Sequence, residues 1–192
     1  VNEHYFALKD VLTEAKAIDR TLYTSATASV LKTAIDNAQN SLVNIISQAE
    51  SEARIAELEK AINNLILIKG SCGDSLTWCY DEESKTLTVT GTGEMYDYTA
   101  SDSPWEAFEN EITTVVIGRD IASIGNNAFN ECGVLTDVHY GYTEENWQTL
   151  SIGENNESLT SANISCHTHN FTGTVTTKPT CTQQGVKTFN CD

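Results

Sequence analysis

Seven residues are written almost twice in this chain. Ile112-Thr-Thr-Val-Val-Ile-Gly118 and Leu135-Thr-Asp-Val-His-Tyr-Gly141 begin 23 positions apart. A third copy, Leu159-Thr-Ser-Ala-Asn-Ile-Ser165, begins 24 positions after the second. Apolar residues hold the first, fourth and sixth places, the pattern L-x-x-L-x-L. No single copy can bury its apolar face alone, so the copies are expected to stack as short parallel strands over one shared core.

A spacing of this size lies in the leucine-rich-repeat range. Between the first two copies, Ile121, Ile124, Ala128 and Phe129 carry the chain back over the core. Between the second and third, Trp147, Leu150 and Ile152 do so, with a short helical turn expected over Glu144 to Thr149. Gly125-Asn126 and Cys132-Gly133 punctuate the turns. Ahead of the repeats, LTWCY and TLTVTG read as hairpin strands around the acidic turn Asp81-Glu82-Glu83-Ser84, and SPWEAFEN reads as a helical turn opened by Pro104. This segment suits the N-terminal cap that a repeat stack requires.

The first seventy residues have a different periodicity. Leu8, Val11, Leu12, Ala15 and Ile18 form one helical stripe. Leu31, Ala34, Ile35, Ala38, Leu42 and Ile45 form a second, and Ile55, Leu58, Ile62 and Leu65 a third. Ser25 or Thr27 is positioned to cap the second helix. Ser47 to Glu50 has the form of a capping box before the third, and Gly70 is a stop signal. Three such helices make a small antiparallel bundle. Charge marks the same boundary. Residues 1–70 hold 9 acids and 7 bases, whereas residues 71–192 hold 18 acids and 4 bases. The fold class read from these patterns is α+β and multidomain. Residues 1–70 are expected to form a three-helix bundle and 71–167 a short leucine-rich-repeat-type β domain with a hairpin cap, while 168–192, which alternates in strand fashion, resembles the start of a truncated Cys-containing β repeat.

The formal net charge of -16 argues against nucleic acid and against anionic membrane surfaces, both of which need clustered Lys and Arg. No apolar run approaches the ~20 residues of a membrane span, and no signal peptide is visible. The chain starts at Val1 and stops at Asp192 just after a cysteine, and it is read as a piece of a longer protein. G-x-S-x-G, H-E-x-x-H and P-loop motifs are absent. Asp97, Asp102, Glu106 and Glu109 read as a solvated acidic face rather than a glycosidase pair. The chain is therefore read as no enzyme and as needing no cofactor.

Two resemblances sharpen the reading. Leu8 to Ile18, LYTSATASVLKTAIDNAQ and IAELEKAINNL resemble the FIVAR module, which implies an extracellular three-helix spacer, sometimes described as sugar-binding. Tyr5, Phe6 and Tyr23 are its candidate sugar platform, with core or staple roles the simpler assignment. CGDSLTW, LTVTGTGEMYDY, SPWEAF, SIGNNAF and YGYTEENWQTLSIG resemble, in order, the BspA-like leucine-rich repeat proteins of bacterial surfaces. That resemblance implies a secreted or wall-attached protein in adhesion, with a host protein or polysaccharide as partner and no catalytic residues. The chain departs from the family in carrying one SIG..AF unit rather than a long array. The alternative is a structural spacer within a large extracellular enzyme, such as a carbohydrate-active enzyme.

For a binding role the candidate ligand residues are Trp105, Tyr96 and Tyr98 in loop-like sequence and Asp137, His139 and Asn163 on the strands. The outward places are expected to stack as Thr114, Asp137, Ser161 and as Val116, His139, Asn163. Three strands ~4.8 Å apart would span about 10 Å. Trp78 and Trp147 are expected in the core. Six cysteines leave disulfides open, with Cys72–Cys79 and Cys181–Cys191 as the plausible pairs and Cys132 as a buried free thiol. Cys166, His167, His169, Cys181 and Cys191 are the nearest thing to a zinc set, but no C-x-x-C accompanies them, and no metal is expected.

Overall fold

A computed structural model describes residues 3–43, 47–100 and 102–166, and the strand backbones 171–177 and 186–191. Helices α1 (Glu3–Ala17), α2 (Ser25–Leu42) and α3 (Gln48–Asn63) form the bundle, each packing on the other two. Its core follows the helical stripes: Leu8, Leu12 and Ala15 meet Leu31, Ala34, Ile35 and Ala38 and, from α3, Leu58 and Ala61. Ser47 caps α3 by accepting from the Glu50 N–H, as its sequence pattern indicates. The cap of α2 is Thr24, not Ser25 or Thr27; its hydroxyl accepts from the Thr27 N–H. Ile45 lies outside the described residues.

Helix α3 stops at Asn63, well before Gly70. Gly70 instead sits in strand β1 (Lys69–Ser71), which pairs antiparallel with β2 (Leu76–Asp81). A side chain at Gly70 would lie 3.1 Å from the Trp78 indole nitrogen, so the glycine makes room for the core tryptophan. Lys69 to Ser71 therefore extend the sheet as its edge strand.

Strand β2 and β3 (Thr86–Gly91) form the expected hairpin. Beyond it come the short β4 (Gly93–Glu94), a 3-10 turn at Glu106–Phe108, and then the repeat strands β5 (Thr114–Ile117), β6 (Ile121–Ile124) and β7 (Asp137–Tyr140). Helix α4 (Glu144–Thr149), β8 (Ser151–Ile152), helix α5 (Glu157–Thr160) and β9 (Asn163–Cys166) complete the stack. One sheet runs β1-β2-β3-β5-β7-β9 and a second runs β4-β6-β8. The pairings β3–β5, β5–β7 and β7–β9 are parallel, as a repeat stack demands. Leu87, Val115 and Val138 point inward in successive strands and are fully buried. Between the two sheets lie the core aromatics Trp78, Tyr80, Trp105, Phe108 and Phe129. Strands β10 (Phe171–Thr177) and β11 (Val186–Cys191) pair antiparallel in a sheet of their own.

The third copy is displaced from its sequence alignment. Asp137 pairs with Asn163 and His139 with Ser165. Leu159, aligned with Ile112 and Leu135 by sequence, lies in α5 and is fully buried there. The added helical turn uses two extra residues, so the ladder resumes at Asn163 rather than Ser161.

The returning limbs of the coils are tied by polar rungs. The Asn126 N–H donates to Asp97 Oδ1 (2.8 Å), and the Glu154 N–H donates to Asn126 Oδ1 (2.7 Å). Asn127 Nδ2 donates to the Tyr98 carbonyl, and Asn155 Nδ2 donates to Asn127 Oδ1, both at 2.8 Å. Asn127 and Asn155 share a left-handed backbone, φ 56° and 59°, a region asparagine tolerates. Asn156 is buried; it donates to the Gly125 and Gly153 carbonyls and accepts from the Phe129 N–H. Gly125 permits this stacking, because a Cβ there would fall 1.8 Å from the Tyr96 carbonyl oxygen.

Candidate functional site

The period of two along a strand sends alternate residues of the large sheet outward. Register partners align Thr86, Thr114, Asp137 and Asn163 in one column, with Asp81 of β2 beside Thr86. Thr88, Val116, His139 and Ser165 form the next, with Cys79 beside Thr88. Asp137, His139 and Asn163 therefore do share one face. Ser161 does not belong to it, because the third copy is shifted by two residues.

The face is also wider than three strands. The hairpin continues it, and six strands ~4.8 Å apart span about 24 Å. Thr86 and Thr88 also stand on this face, and the repeat pattern alone missed them. Their signal was the alternation Thr86, Thr88, Thr90, which marks one side of β3 as polar. Asp137 is held in place by the Thr136 hydroxyl, which donates to Oδ2 at 2.7 Å. Thr77 and Thr90 join hydroxyl to hydroxyl across the hairpin at 3.3 Å.

Trp105 is not on any surface. It is fully buried, and its Nε1 donates to the Ala128 carbonyl at 2.8 Å. It stacks on Phe129 at 5.4 Å between ring centres and meets Trp78 and Tyr98 edge-on, each at 5.9 Å. The loop sequence hid this because its contacts come from positions scattered over fifty residues. Tyr98 is half-buried, and its hydroxyl donates to the Cys72 carbonyl. Burial, first, and the neighbouring Cys72 push its phenol well above the ordinary range. Neither residue is placed to stack a ligand.

Tyr96 alone of the three loop aromatics is exposed, at 47%. Its hydroxyl donates to Asp74 Oδ1 at 2.7 Å, a bond that raises the phenol pKa. It borders a cleft of about 440 Å³ with Asp74, Ser75, Thr92, Glu94 and Asp97. That cleft lies at the cap end, away from the columns of Asp137 and His139. A second cleft, about 580 Å³ and mainly apolar, lies where Leu22 and Leu67 face Thr77, Cys79, Thr88 and Thr90. In the bundle Tyr5 and Phe6 meet edge-on, 5.6 Å apart, with Phe6 exposed.

Asp97 supports the Asn126 backbone, as described above. Glu109 is raised by its partial burial, then by Glu131 and Glu106. The Lys85 ammonium pairs with Glu111 across the sheet and lowers that carboxyl.

The Cys72–Cys79 bridge is not formed. Cys72 is buried and Cys79 is exposed on the outer face, both as free thiols. The alternation of β2 explains this, since its inward places are taken by Leu76, Trp78 and Tyr80. Cys132 is a buried free thiol, pushed up to about 12 by burial and then by Glu109 and Glu131. Cys166 is half-buried beside Trp147 and Ile164. The Cys181–Cys191 pair and the candidate zinc ligands His167, His169 and Cys181 lie outside the described residues, as does the side chain of Cys191. Among the described residues, no group of three His, Cys, Asp or Glu gathers as a metal site.

Comparison with solved structures gives partial likenesses. A leucine-rich repeat protein from Eubacterium ventriosum is 25% identical over 52% of this chain and 26% of its own, with a TM-score of 0.43. The CBM51-2 and INT domains of ZmpB from Clostridium perfringens are 16% identical over 70% of this chain and 32% of theirs, with a TM-score of 0.32. The same domains with GlcNAc bound match at 16% identity over 71% of this chain and 33% of theirs, with a TM-score of 0.32. The chain thus spans about a third or less of each of these structures. No family model and no curated protein matches it.

Proposed function

We propose that this chain is a non-catalytic module of a bacterial cell-surface or secreted protein, binding a glycan or a host protein through the outer face of its large sheet. The observation that carries this reading is the pair of outward columns. Thr86, Thr114, Asp137 and Asn163, with Thr88, His139 and Ser165, offer neutral hydroxyls, an amide, one carboxylate and one imidazole in fixed register. Such a set hydrogen-bonds hydroxyl-rich or peptide partners, and the strong negative charge of the chain disfavours polyanions. The BspA-like and FIVAR-like sequence motifs support an extracellular, adhesive setting. Tyr96 and its cleft are a second, smaller surface for the same role.

The test is a glycan array and a host-protein panel probed with the whole chain, beside Asp137→Ala/His139→Ala and Tyr96→Ala. Binding lost in the double variant places the site on the columns. Binding lost only with Tyr96→Ala moves it to the cap cleft. No binding in either panel removes the reading.

The spacer within a larger extracellular enzyme is the second reading. It is favoured by the close attachment of the bundle to the sheet, which would hold flanking parts at a fixed separation. It predicts silence in both panels.

A further inference from the structure

Two features join the bundle to the repeat domain. The first is the segment that leaves α3. The Thr24 N–H donates to the Ile66 carbonyl (2.8 Å), and the Ile68 N–H donates to the Leu22 carbonyl (2.9 Å). Tyr23 and Leu67 form an antiparallel bridge between these bonds. On the other side, the Tyr80 N–H donates to the Ile68 carbonyl (2.6 Å), and Lys69 to Ser71 continue as the edge strand β1. Ile68 also packs against the core of the repeat domain. A connection of this kind is ordinarily a free linker. Here its backbone bonds are committed to both partners.

The second feature is Glu82, in the acidic turn between β2 and β3. Its Oε2 accepts from the Ser25 N–H at 2.9 Å, 57 residues away in sequence. Ser25 opens α2, an 18-residue helix with no acid in its own first turn. The first N–H groups of a helix lack intrahelical acceptors and carry the positive end of the dipole. Thr24 serves the Thr27 N–H, and the carboxylate of the repeat domain serves the Ser25 N–H. The anion that α2 lacks is thus supplied by the neighbouring domain.

We infer that the 64–71 strap and the Glu82 cap lock bundle and repeat domain into one cooperative unit, with bundle stability set in part from the repeat domain. The locking does not depend on what the outer face binds. It fixes the direction in which that face points from the bundle.

The molecule carries separate reporters for the two halves. All three tryptophans, Trp78, Trp105 and Trp147, lie in the repeat domain. Ellipticity at 222 nm is dominated by α1–α3 in the bundle. Urea unfolding of the whole chain should give coincident midpoints by both signals. Glu82→Ala should lower the ellipticity midpoint and separate it from the fluorescence midpoint. Glu83→Ala, in the same turn but not placed on α2 by any such bond, should leave the two coincident. Separate transitions in the natural chain would overturn the inference, and so would a Glu82→Ala ellipticity midpoint that does not move.

Discussion

The bundle and the repeat domain solve the same problem of burial with opposite materials. The bundle core is leucine, isoleucine and alanine, spaced three and four apart on three helices. The repeat domain centres on aromatic rings brought in by a hairpin, a 3-10 turn and a returning limb. In the bundle each core residue is one of several equivalents along a stripe. In the repeat domain Trp105 touches three other rings and closes the gap between the two sheets. Aliphatic stripes spread the risk of a lost side chain, whereas an aromatic centre concentrates it.

Truncation at the two centres puts this contrast to the test with the largest effect. Trp105→Ala removes three ring contacts and leaves the Ala128 carbonyl without its donor. A loss of about 3–5 kcal/mol is expected, on the scale of large-to-small core changes plus an unpaired buried group. Leu31→Ala in α2 should cost less, about 2–3 kcal/mol, because alanine neighbours let the helices close in. Denaturant titration of both variants gives the comparison. Equal losses would mean that the aromatic centre is no more critical than a helical stripe.

The polar groups extend the contrast at smaller size. Asn156→Ala strands the Phe129 N–H and the Gly125 carbonyl inside the coil, and about 1–3 kcal/mol should be lost. Ser51 is the bundle's buried counterpart, its hydroxyl donating to the His4 carbonyl at 2.6 Å. Ser51→Ala removes this one bond, and about 1 kcal/mol should be lost. An Asn156 variant as mild as the Ser51 variant would show that the rungs between coils are dispensable.

The same division decides what the sequence could tell. The three helical stripes, the hairpin, the parallel repeat strands and the short helix at Glu144–Thr149 follow from periods of 3.6 and 2, which are local. The buried Cys132 was legible because an inward place in a repeat is apolar whatever fills it. The register of the third copy was not, because Leu159 satisfies the apolar pattern equally well from a helical turn. Trp105 was misplaced for a different reason: its partners Trp78, Tyr98 and Phe129 approach from three separate segments, and no window contains them. The Cys72–Cys79 pair looked closable by spacing alone, yet strand alternation turns one thiol in and the other out. Among the candidate ligand residues, Asp137, His139 and Asn163 could be grouped because one strand face is a local property. Tyr96, Tyr98 and Trp105 could not be separated, because burial of a loop residue is a tertiary one.

The buried thiols give a pH test of moderate size. Burial holds Cys72 up to about 11 and Cys132 up to about 12, against an ordinary 9.0. Below pH 9 both folded and unfolded chains keep these protons, and their contribution to stability is fully present. As pH rises through 9 to 11, the unfolded chain releases its thiol protons first, so stability falls. Urea midpoints should drop between pH 8 and pH 10, and Cys132→Ala should flatten that slope. The bundle contains no cysteine, so a slope unchanged by the substitution would assign the alkaline loss to other groups.

The smallest effect on stability is expected where the functional reading places the most weight. His139 and Thr114 stand on the outer face, half-buried, with their backbones fixed by the parallel ladder rather than by their side chains. His139→Ala and Thr114→Ala should move the unfolding midpoint by no more than about 0.5 kcal/mol, the usual range for surface changes that remove no buried bond. The inward neighbour Val138 provides the contrast, since Val138→Ala opens the core between Val115 and Ile164. If the outward variants proved as damaging as Val138→Ala, the columns would be part of the packing and poor candidates for recognition. If they are silent in unfolding, any binding they abolish can be charged to the face itself, because the strand that presents it has not changed.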